Sequence, residues 1–282
     1  MTRLSEIEGH ITSIGELLDI VGAMRSLAGM RLRQAQHALP GIRRYAASMA
    51  EAIAAAILLS PGPGPETGRG QRRRALVFCA SEHGFVGGFN ERLMESLEQT
   101  FSRDDALFVL GSRGVLLAQE RGWKPAWTGP MATRLSAATE TVQRLTSELY
   151  ARIAVGEISR IEVVFSSYRQ GTAPVIERRL LLPLDVNALK DGQPKDAPLH
   201  NLEPQALLEK LLAEFVFALL TEAVAESIGS ENAARFAAMT SAYDNVSTKL
   251  DELRQSARQA RQGEITEELL DLVSGAEASM SL

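Results

Sequence analysis

The chain has 282 residues, of which 45% are hydrophobic, 23% charged and only 5% aromatic, with a formal net charge of -5. Such a mix describes a folding sequence with room for one large domain or two ordinary ones, and it favours long helices and narrow seams over a thick aromatic core. The charge argues against wholesale nucleic-acid binding. A single cysteine, Cys79, leaves no internal disulfide framework and no cysteine zinc site.

The start, MTRLSEIEGH, is polar and passes straight into helix periodicity, so no signal peptide is expected. Ser5 followed by Glu8 reads as a capping box. Leu4, Ile7, Ile11, Ile14, Leu18 and Val21 step by three and four along one face. This helix is expected to run to about Leu59, with Pro40 and Gly41 kinking or interrupting it. Gly15, Gly22 and Gly29 recur beside the seam, from sequence drift or because a neighbouring backbone comes close. Arg25, Arg31, Arg33, Arg43 and Arg44 fall between Ile20 and Met49 with no acid among them. They form either a solvated face or a basic collar for an acidic partner loop. Met49–Leu59, the most apolar stretch, is too short to span a bilayer.

SPGPGPETGRGQRRR, residues 60–74, has the composition of a linker. An alternating stretch follows. Strands are expected at Ala75–Ala80, Ala106–Leu110, Ile161–Ser167 and Val175–Leu182. Helices are expected at Asn90–Phe101, Val115–Arg121 and Ala132–Ile153. That order implies a Rossmann-like α/β domain with a mainly parallel sheet. Residues 184–200 read as a loop. From Glu203 the chain reads as helix to its end, with Gly229 a weak point. Phe236, Met239, Tyr243, Val246, Leu250, Leu253, Ala257 and Ala260 carry a second seam. Two terminal seams imply a long antiparallel coiled coil of N- and C-terminal helices. The expected organisation is therefore a helix over 1–59, an α/β domain over 75–190 and a helix over 203–282, the two helices forming one unit.

The search for chemistry is short. SEHGFVGGFN, Ser81–Asn90, lies between a strand and a helix but lacks G-x-G-x-x-G and any P-loop Lys-Ser/Thr pair. A tight structural turn fits it better. GSRG at Gly111–Gly114 is a turn as well. No catalytic set converges, the four histidines match no metal-ligand spacing, and no cofactor is expected.

Six motifs then point one way. SENAARFAAMTSAYDN (Ser230–Asn245) resembles the S-E-x-x-A-R-x-x-A-M-x-x-A-x-D-N of the γ subunits of F-type ATP synthases. ARQGEITEELLDLVSGA (Ala260–Ala276) is similar to their A-R-Q-x-x-I-T-x-E-x-x-E-I-V-x-G-A. AMRSLAGMRLRQAQ, SEHGFVGGFN, LLPL and Glu203-Pro204 match in order too. The resemblance implies a central-stalk rotor whose coiled coil enters the hexamer of α and β subunits. It also implies a foot on the ring of membrane c subunits beside ε, and catalysis on β rather than here. The expected hexamer contacts are Met24, Arg25, Arg31, Arg33, Arg261, Gln262, Thr266 and Glu268, and Glu203 is expected to face the ring. The expected location is the cytoplasmic face of a bacterial inner membrane, held peripherally without insertion.

Several positions depart from the family pattern. Gly22, Arg25, Ser26, Gly29 and Met30 stand where Lys, Glu, Met, Ala and Ser are usual. His83 and Val86 replace an Arg and a Cys. These swaps imply a divergent form, such as one from a second operon. Two other readings remain open: a nucleotide-dependent enzyme with a helical dimerisation arm, and a freestanding coiled-coil scaffold.

Overall fold

The computed structural model describes residues 3–59, 73–169, 174–184 and 199–280, the last seven of these by backbone alone. Two long helices frame it: α1 (Arg3–Ile57) and, at the other end, α5 (Pro204–Met280). Between them come β1 (Arg73–Cys79), α2 (Phe89–Glu98), β2 (Ala106–Leu110), α3 (Ser112–Glu120), β3 (Trp127–Gly129), α4 (Ala138–Ala154), β4 (Ile158–Ser167) and β5 (Val175–Leu182). The chain divides into two compact units, one of Met1–Leu27 with Phe236–Leu282 and one of Ala28–Arg235.

In the first unit the ends of α1 and α5 lie side by side. Arg261 Nη2 donates to Glu8 Oε1 at 2.6 Å. Further along, a Cβ on Gly22 would stand 3.4 Å from the Tyr243 ring. The partner number falls as the α1 number rises, so the helices run antiparallel. Burial follows the expected seams: Val21, Met239, Leu250 and Ala257 are buried, and Leu4, Ile7, Ile11, Ile14 and Leu18 are half-buried. Phe236 is the exception, at 41% exposed. Arg235, the residue before it, belongs to the other unit and is buried there beside the His83 and Gly84 carbonyls.

The second unit is built on a five-stranded sheet of order β3-β2-β1-β4-β5. β1 pairs in parallel with β2 and β4, β2 pairs in parallel with β3, and β4 pairs antiparallel with β5. The central strands are buried on both faces, hence their unbroken apolar runs ALVFC and ALFVL. One face is covered by α4, through Val142, Leu145 and Leu149, and by Val216, Leu220, Val224 and Ile228 of α5. The other face is covered by α2, through Phe89, Leu93, Met94 and Leu97. At about 25 cal/mol per Å2, such burial is the largest stabilising term in the unit.

Several elements differ from expectation: β4 begins at Ile158 and α3 at Ser112, each three residues early, and α2 ends at Glu98, three residues short. β3 was not among the expected strands; it is three residues long, too short for any alternation to register. The helix expected from Ala132 begins at Ala138, after a 3-10 turn at Leu135–Ala137. Pro40 and Gly41 do not interrupt α1. Leu39 and Ala46 are buried on either side of Pro40, and Arg43 is tied to Glu222 and Glu226 of α5. Tertiary packing thus outweighs the roughly 3 kcal/mol local cost of a helical proline. Gly229 is likewise no break, for α5 runs through it. A Cβ there would come within 3.4 Å of the Ala35 Cβ, so the glycine admits close approach of α1 to α5.

Candidate partner-facing sites

The 81–90 turn holds two left-handed residues close together. Phe85 has φ 62° and Gly87 φ 53°, both left-handed. Asn90 is buried at the start of α2 and spans the turn: its Oδ1 accepts from Ser81 N at 3.0 Å, and its Nδ2 donates to Ser81 Oγ at 2.8 Å. Ser81 Oγ then donates to His83 O at 2.9 Å. The ring of Phe85 is left 68% exposed. From α5, Arg235 reaches the carbonyls of Gly84 and His83 at 3.3–3.4 Å. The turn therefore offers two carbonyls to the Arg235 guanidinium.

Glu82, just inside the turn, receives the Ser112 hydroxyl and the backbone N–H groups of Ser112 and Met131. Burial pushes its carboxyl up, but these donors more than offset that and leave it below the usual value. Gly111 and Gly114 of the GSRG turn are forced by space. Gly111 has φ 98°, and a Cβ there would sit 2.4 Å from Ala80 O; one on Gly114 would sit 2.5 Å from the Ala80 Cβ. Cys79 is buried in β1 as its apolar run implied, and burial pushes its thiol up to about 12, so it stays protonated at neutral pH.

The S-E-x-x-A-R motif resolves into fasteners. Ser230 Oγ and Ser166 Oγ of β4 share a hydrogen bond of 2.5 Å. Glu231 Oε1 accepts from Arg235 Nη2 at 2.6 Å, and both residues are buried. Burial raises the Glu231 carboxyl, against the pull of Arg235 and Arg31. Further back along α5, Glu222 accepts from Arg43 Nε at 3.2 Å and from Arg179 Nη1 at 2.9 Å, and Glu226 pairs with Arg43. These groups line a cavity of about 700 Å3 together with Gln36, Pro40 and Ser167. Sequence reasoning placed Arg43 in the basic run and assigned Glu222, Glu226 and Arg179 no task. The available signal was charged side chains inside an otherwise apolar helical stretch, AVAESIGSENAAR.

The residues expected to face partners lie in varied settings. Met24 is half-buried, and Arg25 lays its guanidinium 4.2 Å over the Tyr243 ring. Arg31 is half-buried and Arg33 exposed. Of the arginines read together as a collar, Arg43 pairs with two buried carboxylates of α5 while its own side chain stays 55% exposed. Arg261, Gln262, Thr266 and Glu268 are all exposed. Arg261 is not free, since it holds Glu8, and the Thr266 hydroxyl donates back to Gln262 O at 2.8 Å. Glu203 precedes Pro204 and caps α5: its Oε2 accepts from Gln205 N at 3.0 Å and from Ala206 N at 3.4 Å. Among the described residues no cluster of His, Cys, Asp and Glu could hold a metal ion. No described helix is long and apolar enough to cross a membrane.

One unit is a pair of antiparallel helices and the other a mostly parallel α/β sheet flanked by helices. The family model described as ATP synthase matches residues 3–279, and the chain belongs to that family. The ATP synthase gamma chain of Flavobacterium psychrophilum is 26% identical over 288 residues, covering 99% of each chain. The fold is similar to a chain of the Euglena gracilis mitochondrial ATP synthase, with a TM-score of 0.62 at 13% identity over 98% of this chain and 94% of that one. It is also similar to a chain of the Tetrahymena thermophila mitochondrial ATP synthase central stalk and c-ring. There the TM-score is 0.56 at 16% identity, over 79% of this chain and 99% of that one.

Proposed function

We propose that this chain is the central-stalk rotor of a rotary F-type ATP synthase, coupling ion flow through a membrane ring to ATP synthesis or hydrolysis in an α/β hexamer. The observation that carries the reading is the family match across residues 3–279 on a chain whose ends pair as antiparallel helices. Its partners are the α and β subunits, ε and the c ring. Helices 1–59 and 203–282 form the shaft and 75–190 the foot. The chain makes and breaks no bond; the chemistry belongs to β. It sits peripherally on the cytoplasmic face of a bacterial inner membrane.

The shaft meets the hexamer through Met24, Arg25, Arg31 and Arg33 on one helix and Arg261, Gln262, Thr266 and Glu268 on the other. Glu203 faces the ring. The physical case is strongest at Arg261 and Gln262. Both are exposed, and Arg offers a fork of donors to a carboxylate while Gln adds a donor and an acceptor. Arg261 would trade Glu8 for a carboxylate of the sleeve, an exchange of like for like that lets a rotor release at each step.

The test is co-expression with the α and β subunits of the same organism. The chain should purify as one complex with them and ATP hydrolysis should drive its rotation. Changing Arg261→Ala together with Gln262→Ala removes one charge-assisted contact of about 1.5–3 kcal/mol. Torque should fall while the complex still assembles. Failure to assemble with α and β would remove the rotor reading; full torque in the double variant would remove these two residues as the catch.

A further inference from the structure

We propose that Arg235 is a positioning residue that bolts helix α5 to the 81–90 turn and passes torque from that helix into the sheet, a role that rests on the rotor reading above. It is the last residue of the Ala28–Arg235 unit and is buried, and the next residue, Phe236, is exposed. Arg235 thus stands at the last turn of α5 that is embedded in this unit. A twist applied along the helix loads that turn first.

The contacts suit a bolt. Apolar side chains such as Val216, Leu220 and Val224 hold α5 on the sheet, but burial of that kind has no direction and resists sliding poorly. Hydrogen bonds are directional. The Arg235 guanidinium is held on its own helix by Glu231 at 2.6 Å and points donors at the carbonyls of His83 and Gly84 across the gap. The receiving turn is itself rigidly fixed. Asn90 and Ser81 tie its two ends together, and Phe85 and Gly87 adopt left-handed conformations within it. Ser81 follows β1, the central strand, and Asn90 opens α2, so load entering at His83 and Gly84 reaches the middle of the sheet and its covering helix. Glu231 keeps the fork aimed, and its own burial is tolerable only with that cation beside it.

Two variants in the assembled complex test this. Arg235→Met keeps the length of the side chain and removes every donor. Arg235→Lys keeps one charged point but loses the fork. Two quantities are read: amide hydrogen exchange at residues 83–87 of the full chain, and ions pumped per ATP hydrolysed. In Arg235→Met, exchange should quicken about tenfold, as expected when a local opening is released. Pumping per ATP should fall at least about twofold while ATP turnover is retained, because a coupling contact rather than chemistry is lost. Arg235→Lys should lie between, and it carries the test should Arg235→Met not assemble. Unchanged exchange would show that Arg235 does not hold the turn. Quickened exchange with unchanged pumping per ATP would show a fastener without a role in torque. A wild-type complex that pumps nothing would overturn the rotor reading instead, and the exchange measurement would still decide the fastening.

Discussion

Gly111 illustrates how a single backbone position constrains this chain. Its left-handed φ and the Ala80 carbonyl 2.4 Å from a built Cβ leave no room for a side chain. Gly111→Ala should therefore destabilise the chain by about 1–3 kcal/mol, read as a shift of the urea midpoint at unchanged slope. A midpoint equal to the parent would contradict the steric argument. Glu162 makes the electrostatic counterpart. It is buried on β4 with Arg160, Arg178 and Arg74 around it. Burial pushes its carboxyl up, but hydrogen bonds from Arg160 and Arg178 prevail and hold it below the ordinary 4.5. A lowered folded value means stability that is fully present above 4.5 and is lost as pH falls through that value and on past the folded one. Glu162→Gln should cost about 1.5–3 kcal/mol at neutral pH. Its stability should then decline less steeply than the parent's as pH falls through 4.5 and below, in denaturation curves taken across that fall. Parallel curves would show that Glu162 does not carry the acid sensitivity. Neither feature could be read ahead: a turn glycine does not announce its φ, and a glutamate in a strand does not announce its arginines.

At the scale of elements, the seams are the clearest case of sequence specifying structure. A three-four spacing kept over several turns admits only one buried face, and Leu250 lies on it at 4% exposed. Leu250→Glu would bury a charge there and should destabilise the paired helices by several kcal/mol. Exchange over 4–27 and 236–262 should quicken while the sheet stays protected. Uniform protection in the variant would mean that the seam does not hold those helices together. The central strands were equally legible, since apolar runs of this length between turn residues have few other uses. What escaped was what depends on neighbours. β3 is set by its pairing with β2 and not by its own three residues. Pro40 stays in a helix because α5 holds α1 on both sides of it. Phe236 was read into the seam because it is apolar, whereas it is 41% exposed.

For the molecule as a whole, the rotor reading became legible through motifs and not through chemistry. The S-E-x-x-A-R signature pointed to a family before any of its residues had a task. The structure then explained it as a set of fasteners, Ser230 to Ser166 and Arg235 to the turn, that hold one long helix to an α/β sheet. The outward-facing residues stayed less legible, because contact with a sleeve leaves no trace in one chain except exposure. Arg25 and Arg43 show the limit: both belong to the basic run, yet one stacks on Tyr243 and the other pairs within α5's carboxylates. The most direct measurement is single-molecule rotation. With the hexamer of α and β subunits fixed to a surface and a probe attached to the α/β part of this chain, addition of ATP should turn the probe in one direction in discrete steps. A probe that only fluctuates, in a complex that hydrolyses ATP at its full rate, would contradict the account.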